Sequence, residues 1–444
     1  MILLVDRFGP DAQRLLSSLE EAGYPVRLLS IVSDGFLPPG TLSPFSWEEE
    51  GEGGELYFDK LSVPSYWEIR SSTTSGEVYK YEDLRGKLFY ASPKYLRNIR
   101  IVDWLDRQGK ARFSDHYDQY GHRFAQTILD EQERLLLRIY YDREGRERIV
   151  ENFRNGLILC KQEGKQRAYR SRTEFVASFL LKQGADKERV LLNTLGAGFF
   201  ALKGLRSSYP LSGGEKDVLF WQEELGEEMP GPLLSAIEGR EFPLQVAVQN
   251  RQAYERLLRA GVSEASVTKI GFCYPFARKS EGRRKVLIFT NSDQVVHLSE
   301  LADALPQLTF YVGAITEMSQ RLLSLGQREN VRLFPVMRIE KAASLLAECD
   351  FYLDINRGGE ILNAVEEAFL QNMPILAFSQ TLHNPRYVSP TCIFEEEEVE
   401  EMVEFLAEAV RDASFMKNLI QNQREYAMAA EGEDYVALLG GNKG

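Results

Sequence analysis

Several features that would assign a protein to a familiar class are missing from this chain of 444 residues. Its four cysteines, Cys160, Cys273, Cys349 and Cys392, form no CxxC pair, and its four histidines form no HExxH motif. We therefore expect reduced cysteines, as in a cytoplasmic protein, and no structural or catalytic metal. The sequence has no run of eighteen apolar residues and no basic segment leading into a long apolar stretch at its start. We expect a chain that is neither exported nor membrane-spanning.

Positive charge is also scarce. The net charge is −13, which argues against general nucleic-acid binding. The charge is uneven, because residues 61–170 contain 21 Lys+Arg and 16 Asp+Glu, so that the remainder carries −18. A basic module in an acidic protein could face an anionic membrane surface or an acidic partner. A solvated β surface of the same charge is the simpler explanation.

The chain opens with a strand-helix-strand pattern of the Rossmann type: the strand MILLVD, a helix with one apolar face, and the strand VRLLSIV. The connecting loop has one glycine, Gly9, and no GxGxxG, so dinucleotide binding is weakly indicated. Alternating strands and helices resume near Thr173 and start again after Lys285. This pattern predicts an α/β fold with two doubly wound, Rossmann-like domains.

The segment between these α/β regions has a different pattern of residues. Residues 56–160 contain short aromatic and β-branched runs, which predict an inserted antiparallel sheet. Hairpin turns are expected at Ser75-Gly76, Arg85-Gly86, Gln108-Gly109 and Glu144-Gly145.

The predicted domain organisation follows from these patterns. The first Rossmann-like domain takes residues 1–55 and 161–275, and the extended β-sheet domain takes residues 56–160. The second Rossmann-like domain takes 276–425, and a C-terminal helix and tail take 426–444. The polar stretch CYPFARKSEGRR (273–284) is the expected linker.

Four segments of the chain resemble one particular family. They are DGFLP (34–38), SPFSW (43–47), the long stretch NIRIVDWLDRQGKARFSDHYDQYGHRFAQT (98–127) and ENFRNGLIL (151–159). With two Rossmann-like halves, they resemble the accessory-Sec glycosyltransferase pair of Gram-positive bacteria, which adds N-acetylglucosamine to serine and threonine of serine-rich repeat adhesins. The resemblance spans essentially the whole chain. It implies a GT-B glycosyltransferase architecture with an inserted extended β-sheet domain.

The stretch YLDINRGGEILNAVEEA (352–368) stands where the catalytic member of that pair carries its nucleotide-sugar signature. There, an acidic-Gly-aromatic-Gly run grips the sugar, and Glu-Ala opens a helix whose amides hold the donor phosphates. Glu367-Ala368 remain here, but Gly359 replaces the first carboxylate, and no Lys or Arg occurs from Val286 to Gln320. We expect no catalytic residue, no cofactor and a degenerate donor loop. Its residues are Asn356, Arg357, Gly358, Gly359, Glu360 and Glu367.

Two other interpretations remain open. Residues 356–359 could form an anion-binding nest, with Arg357, Glu360 and Glu367 replacing the lost groups in an active retaining transferase. A simple strand-to-helix turn that needs glycine explains the same residues. A stand-alone carbohydrate-binding or structural module would fit the β insertion but not the two α/β halves.

Aromatic residues of the insertion are candidates for contact with an acceptor peptide or a partner chain. Most such side chains fill the face of a sheet. Exposed ones could also stack on an extended peptide or on its sugars. The candidates are Trp104, Asp115, His116, Tyr117 and Tyr120.

The resemblance implies the noncatalytic member of the pair, a glycosylation chaperone or co-activator. Its implied partners are the catalytic transferase subunit, in a heterotetramer of two copies each, and the serine-rich repeat adhesin polypeptide, with no nucleic acid. It also implies a cytoplasmic protein that is peripheral on the inner face of the cell membrane. The cleft between the two halves, which could open through the linker 273–284, would be the natural groove for a peptide.

Overall fold

The computed structural model describes residues 1–46, 53–162, 164–277 and 282–440. Trp47 of the SPFSW segment, residues 278–281 of the expected linker and the last four residues of the predicted tail lie outside these ranges. The chain divides into two compact units, Met1–Lys269 and a second that begins at Ile270. This division comes earlier than the predicted boundary at 275/276, because Phe272 forms a β-bridge with Ala429 of the second unit.

The first unit opens with β1 (Ile2–Arg7), α1 (Pro10–Glu21) and β2 (Arg27–Val32). The helix begins after Gly9 with a proline at its first position, where the missing N–H removes no helical hydrogen bond. It ends before Gly23, whose φ of 77° suits glycine. β1 and β2 pair in parallel.

A ten-stranded antiparallel sheet follows, with its strands in sequence order. They are β3 (Trp67–Ser71), β4 (Ser75–Lys80), β5 (Asp83–Tyr90), β6 (Ile99–Leu105), β7 (Ala111–Tyr117), β8 (Arg123–Leu129), β9 (Leu135–Tyr141), β10 (Glu147–Asn152), β11 (Ile158–Gln162) and β12 (Lys165–Tyr169). The predicted insertion ended at residue 160. The sheet continues to Tyr169, because β12 pairs with β11 from Ile158 to Gln162.

The sheet buries opposite faces at its two ends. Tyr140, Ile149 and Cys160 pack with Phe45 and Phe175 of the surrounding α/β region. The strand register places Ile101 on the same face as Tyr140. Val102, the next residue, points to the opposite face, and a second cluster covers that face near β4 to β6. Its buried members are Leu61, Val78, Leu88, Tyr90, Ile99 and Val102. The described clusters therefore cover one face of the sheet near β9 to β11 and the other face near β4 to β6.

The parallel pattern then resumes. Its elements are α2 (Arg172–Lys182), β13 (Val190–Leu192), α3 (Ala197–Ser208), β14 (Asp217–Trp221), α4 (Gly231–Ile237), β15 (Leu244–Val248), α5 (Arg251–Arg259) and β16 (Thr268–Lys269). They complete a six-stranded parallel sheet in the order β2-β1-β13-β14-β15-β16. Ser171 caps the start of α2, because its side chain accepts a hydrogen bond from the amide of Glu174.

The second unit contains another six-stranded parallel sheet, in the order β19-β18-β17-β20-β21-β22. Its elements are β17 (Lys285–Thr290), α6 (Leu298–Ala304), β18 (Thr309–Ala314), α7 (Gln320–Leu325), β19 (Val331–Phe334), α8 (Ile339–Glu348), β20 (Phe351–Asp354), α9 (Ala364–Leu370), β21 (Ile375–Phe378), β22 (Ile393–Phe394), α10 (Val399–Arg411), α11 (Ala413–Tyr426) and α12 (Gly432–Leu439). The strand order reverses between β17 and β20. In open α/β sheets, ligands bind where the order reverses, outside the carboxyl ends of the strands.

The C-terminal residues are an integral part of this second unit. The buried Tyr435 of α12 donates a hydrogen bond from its hydroxyl to the carbonyl of Gly271, 2.7 Å away. The predicted separate tail from residue 426 thus packs into the fold as far as it is described. Among the described helices, none is long and apolar enough to cross a bilayer.

Candidate functional site

The predicted donor loop follows β20, at the point where the strand order reverses. Asp354 ends that strand and is buried. Its Oδ1 lies 2.6 Å from Nδ1 of His383, and its Oδ2 accepts the His383 amide at 2.8 Å. The other ring nitrogen of His383 lies 2.6 Å from the carbonyl of Gly358. His383 therefore ties the loop to the end of the strand.

This histidine is cationic at neutral pH. The hydrogen bond to Asp354 raises the pKa of His383 to about 9, with help from the charge of Asp354 and the Gly358 carbonyl and against the effect of partial burial. Both ring nitrogens face acceptors, which suits the doubly protonated ring. A protein cation thus lies inside the loop.

The loop after β17 closes the other side of this crevice. Thr290 Oγ1 lies 2.7 Å from Asn356 Oδ1, and the amide of Arg357 donates to the carbonyl of Gln294 at 3.0 Å. A Cβ atom on Gly358 would lie 1.9 Å from Asn291 Oδ1. Glycine is needed at 358 because two loops of the chain meet there. The loops after β17 and β20 are therefore joined by their own polar atoms at the strand ends.

The charged residues of the loop are also engaged. Arg357 pairs with Glu396 at the surface, with 2.6 Å from Nη2 to Oε1. Glu360 Oε1 accepts the amide of Val365 at 2.9 Å, so a carboxylate of the chain caps the first turn of α9. Glu367 lies in α9, where desolvation and the charge of Glu366 raise its pKa. The structure does not bring Arg357, Glu360 and Glu367 together around one ligand position.

Asp115 and Trp104 lie close together in the antiparallel sheet. Asp115 is buried, and its carboxylate accepts from Trp104 Nε1 at 2.8 Å and from Gln126 Nε2 at 2.8 Å. Arg123 adds an ion pair at 3.3 Å. Asp115 therefore links three strands, which is a structural role, and it fixes the orientation of the Trp104 ring.

The other three predicted contact residues are dispersed. His116 points to the opposite face, where burial, followed by the charges of Arg138 and Arg100, lowers its pKa to about 4. Tyr117 packs on the second cluster of the sheet, and burial raises its pKa to about 12. Tyr120 lies in the turn after β7 and lines a cavity of about 200 Å³ beside residues 33–46. The five residues thus form no single site.

One apolar feature escaped the sequence analysis. Trp104, Phe113, Ile128 and Leu137 pair in register across four strands and form one row on the sheet, which we call the Trp104 row. All four side chains are partly exposed, and Phe113 is 38% exposed. Alternation of apolar and polar residues within each strand could have revealed the row, but only the register shows that the members adjoin.

Three family models match the chain. The GtfB middle domain matches residues 67–170, the GtfB third domain residues 172–260, and the GftB/GlyA-F C-terminal domain residues 286–423. Curated relatives are described as the UDP-N-acetylglucosamine–peptide N-acetylglucosaminyltransferase stabilizing protein GtfB. The protein of Streptococcus parasanguinis is 37% identical over 89% of this chain and 90% of its own length. That of Streptococcus gordonii is 34% identical over 100% of both chains. This chain belongs to the GtfB family.

Solved structures agree with this assignment. A crystal structure described as the GtfA/B complex bound to UDP and GlcNAc contains a chain 32% identical to this one, with a TM-score of 0.91 over 100% of both chains. TarM, 10% identical, matches with a TM-score of 0.51 over 99% of this chain and 98% of its own, which shows similarity of fold alone. The structural neighbours are GT-B glycosyltransferase-like, and the recognition made from the sequence is confirmed.

Family membership also assigns the two candidate regions to matched domains. The GtfB middle domain covers the antiparallel sheet and the Trp104 row. The C-terminal domain shared by GtfB and the GlyA-F proteins covers the closed loop after β20. Both regions thus lie in parts of the chain that these families share.

Proposed function

We propose that this chain is the noncatalytic, stabilizing subunit of a peptide N-acetylglucosaminyltransferase. Relatives that match at least 89% of the chain carry that name, and a chain of the same fold occurs in the GtfA/B complex. The structural observation that supports it is the set of hydrogen bonds by which Asn356 and Gly358, at the end of β20, are held by Thr290 and His383 of the same chain. The chemistry is then supplied by a second chain, and an active enzyme is not favoured.

The finer part of the proposal is that a donor site has been lost from a GT-B architecture of two Rossmann-like halves. The two parallel sheets are consistent with such halves. A donor diphosphate would need cations, yet the strand, loop and helix from Val286 to Gln320 contain no Lys or Arg. Each missing charge-assisted contact removes roughly 1.5 to 3 kcal/mol. His383 provides positive charge, but its two nitrogens already face Asp354 and Gly358.

We assign the partner contact to the Trp104 row. Aromatic and large apolar side chains that stay half exposed on a sheet are typical of the centre of a protein interface. Tyr120 and its cavity are the better candidate for the acceptor, because Tyr117 is occupied in the core of the sheet. The proposed acceptor is a serine-rich repeat adhesin before accessory-Sec export.

The proposed assembly contains two copies of this chain and two of the transferase. We place it in the cytoplasm, peripheral on the inner face of the membrane, in keeping with the net +5 of residues 61–170. These elements come from the resemblance of the sequence to the accessory-Sec pair.

Calorimetry with UDP-N-acetylglucosamine tests the loss of the donor site. We expect no binding by this chain alone at micromolar concentrations. The variant Gly359→Glu restores the missing carboxylate in a position where a Cβ atom meets nothing closer than 3.7 Å. We expect it to stay inactive in donor binding, because the loop after β17 still fills the crevice. Micromolar affinity in either protein would contradict the proposed loss.

A transfer assay tests the subunit role itself. The catalytic partner should modify a serine-rich polypeptide faster, and survive longer at assay temperature, when this chain is present. This chain alone should transfer no sugar. Transfer by this chain without its partner would overturn the proposal, whatever the calorimetry shows.

A further inference from the structure

A groove of about 820 Å³ lies in the first unit, between the last strands of the antiparallel sheet and α2. Two carboxylates, Asp142 and Glu144, lie among its walls, but cations outnumber them. The cations are Arg143, Arg146, Arg148, Lys165, Arg167 and Lys182. In a chain whose net charge is −13, this groove is a local concentration of positive charge. Such a concentration attracts an anionic ligand.

Five of the six cations of the groove fall into two groups. Arg146 pairs with both Asp142 and Glu144, and Arg148 also pairs with Asp142. Within the ranges that the structure describes, Lys165, Arg167 and Lys182 form no salt bridge. All three are exposed. The second group is therefore the part of the groove that can take up carboxylates from outside.

β12 supplies two of these three cations and is an edge of the sheet. Residues 165–168 are exposed. In the described backbone, no hydrogen bond joins β12 to any segment except β11. An edge strand of this kind can pair with an added extended chain. Lys165 and Arg167 are two positions apart, so both side chains point to the groove face.

The floor of the groove is apolar. Leu181 of α2 is 43% exposed, and Phe175 and Phe179 lie beside it. Arg167 lies over the ring of Tyr169, with 4.9 Å from Cζ to the ring centre. A ligand that fits must therefore combine an extended backbone, carboxylates at alternate positions and some apolar surface.

We propose that β12 and its groove bind an extended acidic polypeptide segment by β-strand addition. Alternate carboxylates of the added strand meet Lys165 and Arg167, and Lys182 contacts the same side from α2. A concave groove beside a strand edge fits a polypeptide better than the flat surface of a lipid bilayer. The site does not depend on the proposed transferase partnership, since every contact is made by this chain.

Fluorescence anisotropy of the full chain with labelled peptides tests the proposal. The probe is a peptide of alternating glutamate and threonine, which places all its carboxylates on one face of a strand. We expect binding that weakens with salt, and roughly tenfold weaker binding by a peptide of the same composition with its glutamates in adjacent pairs. A proline in the centre of the probe should abolish strand pairing and binding.

Charge reversal locates the site. Lys165→Glu with Arg167→Glu should weaken probe binding by at least about tenfold. The matched control reverses Arg70 and Lys80 at the opposite end of the same sheet and should bind as the natural chain does. Equal loss in both variants, or equal binding of the proline peptide, would overturn β-strand addition at β12. Binding to phosphatidylcholine–phosphatidylglycerol vesicles through Lys165 and Arg167, without peptide binding, would show a membrane site instead and refute the proposal.

Discussion

Two regions of this molecule differ in how many of their side chains find partners within the chain. At the ends of β17 and β20, every residue predicted to meet a ligand is committed to the chain or turned to solvent, and Asp354, Asn356 and Gly358 are held by neighbours. On the antiparallel sheet, the Trp104 row leaves four apolar side chains partly exposed. The proposed action by contact, rather than by catalysis, rests on this difference.

The largest effect should come from breaking the closed crevice. Asp354→Ala removes the acceptor of both the amide and the ring of His383, and so leaves partly buried polar groups without their partner. Loss of one partner from such a pair costs about 3 kcal/mol of unfolding free energy. Urea denaturation followed by circular dichroism measures it. Arg357→Ala is the control, because an exposed ion pair contributes less than about 1 kcal/mol. Equal, small losses in both variants would show that the crevice is not held in this way.

A substitution in the Trp104 row should change binding to the transferase rather than stability. Phe113→Glu places a charge on an exposed apolar position, so stability should change little while affinity for the transferase falls by roughly thirtyfold, or about 2 kcal/mol. Phe89→Glu is the matched control, since Phe89 is 45% exposed on the other face of the sheet. Pull-down and calorimetry with the catalytic partner provide the measurement. Similar losses of affinity in both variants would remove the assignment of the contact to this face.

The sequence predicted the regular elements of the fold well. Five of the six strands of the first parallel sheet coincide with apolar runs, such as DVLFW at Asp217–Trp221, and the short β16 is Thr268–Lys269. Two of the four glycine turns are also right, as Gly109 and Gly145 have positive φ between strands. The domain limits were less accurate, because the pairing of β12 and of Phe272 depends on contacts distant in sequence.

The remaining two turn predictions are wrong for a physical reason. Gly76 and Gly86 lie inside strands, not between them. A Cβ atom at Gly76 would lie 2.6 Å from the Tyr90 hydroxyl, and one at Gly86 would lie 3.3 Å from Val78. These glycines are there because neighbouring strands crowd them, which a local pattern cannot show.

The donor loop shows the same limit of sequence reasoning. Counting along the chain selected the residues of the predicted donor loop, but nothing in the sequence linked His383 to Asp354. The loop also continues further than the sequence shows, because Leu362 and Asn363 take positive φ values and α9 begins only at Ala364. Partners brought together by tertiary structure decide whether such a loop is open or closed.

The smallest expected effect is on the pH dependence of the unfolding free energy, to which each region contributes one histidine. The pKa of His383 is raised to about 9, so its stabilising contribution is complete below about pH 6.5 and is lost as pH rises toward 9. The pKa of His116 is lowered to about 4, so its contribution is complete above about pH 6.5 and is lost as pH falls toward 4. After allowance for solvent screening, each change is on the order of 1 kcal/mol.

Single substitutions can separate these opposite slopes. His383→Gln should flatten the fall in unfolding free energy on the alkaline side, and His116→Gln should flatten it on the acid side. Urea denaturation across this pH range measures both. If His383→Gln leaves the alkaline slope unchanged, the cation in the crevice does not contribute to its closure. The loop would then be held by its other hydrogen bonds, such as that of Thr290 to Asn356, and the contrast with the sheet would not depend on the charge of His383.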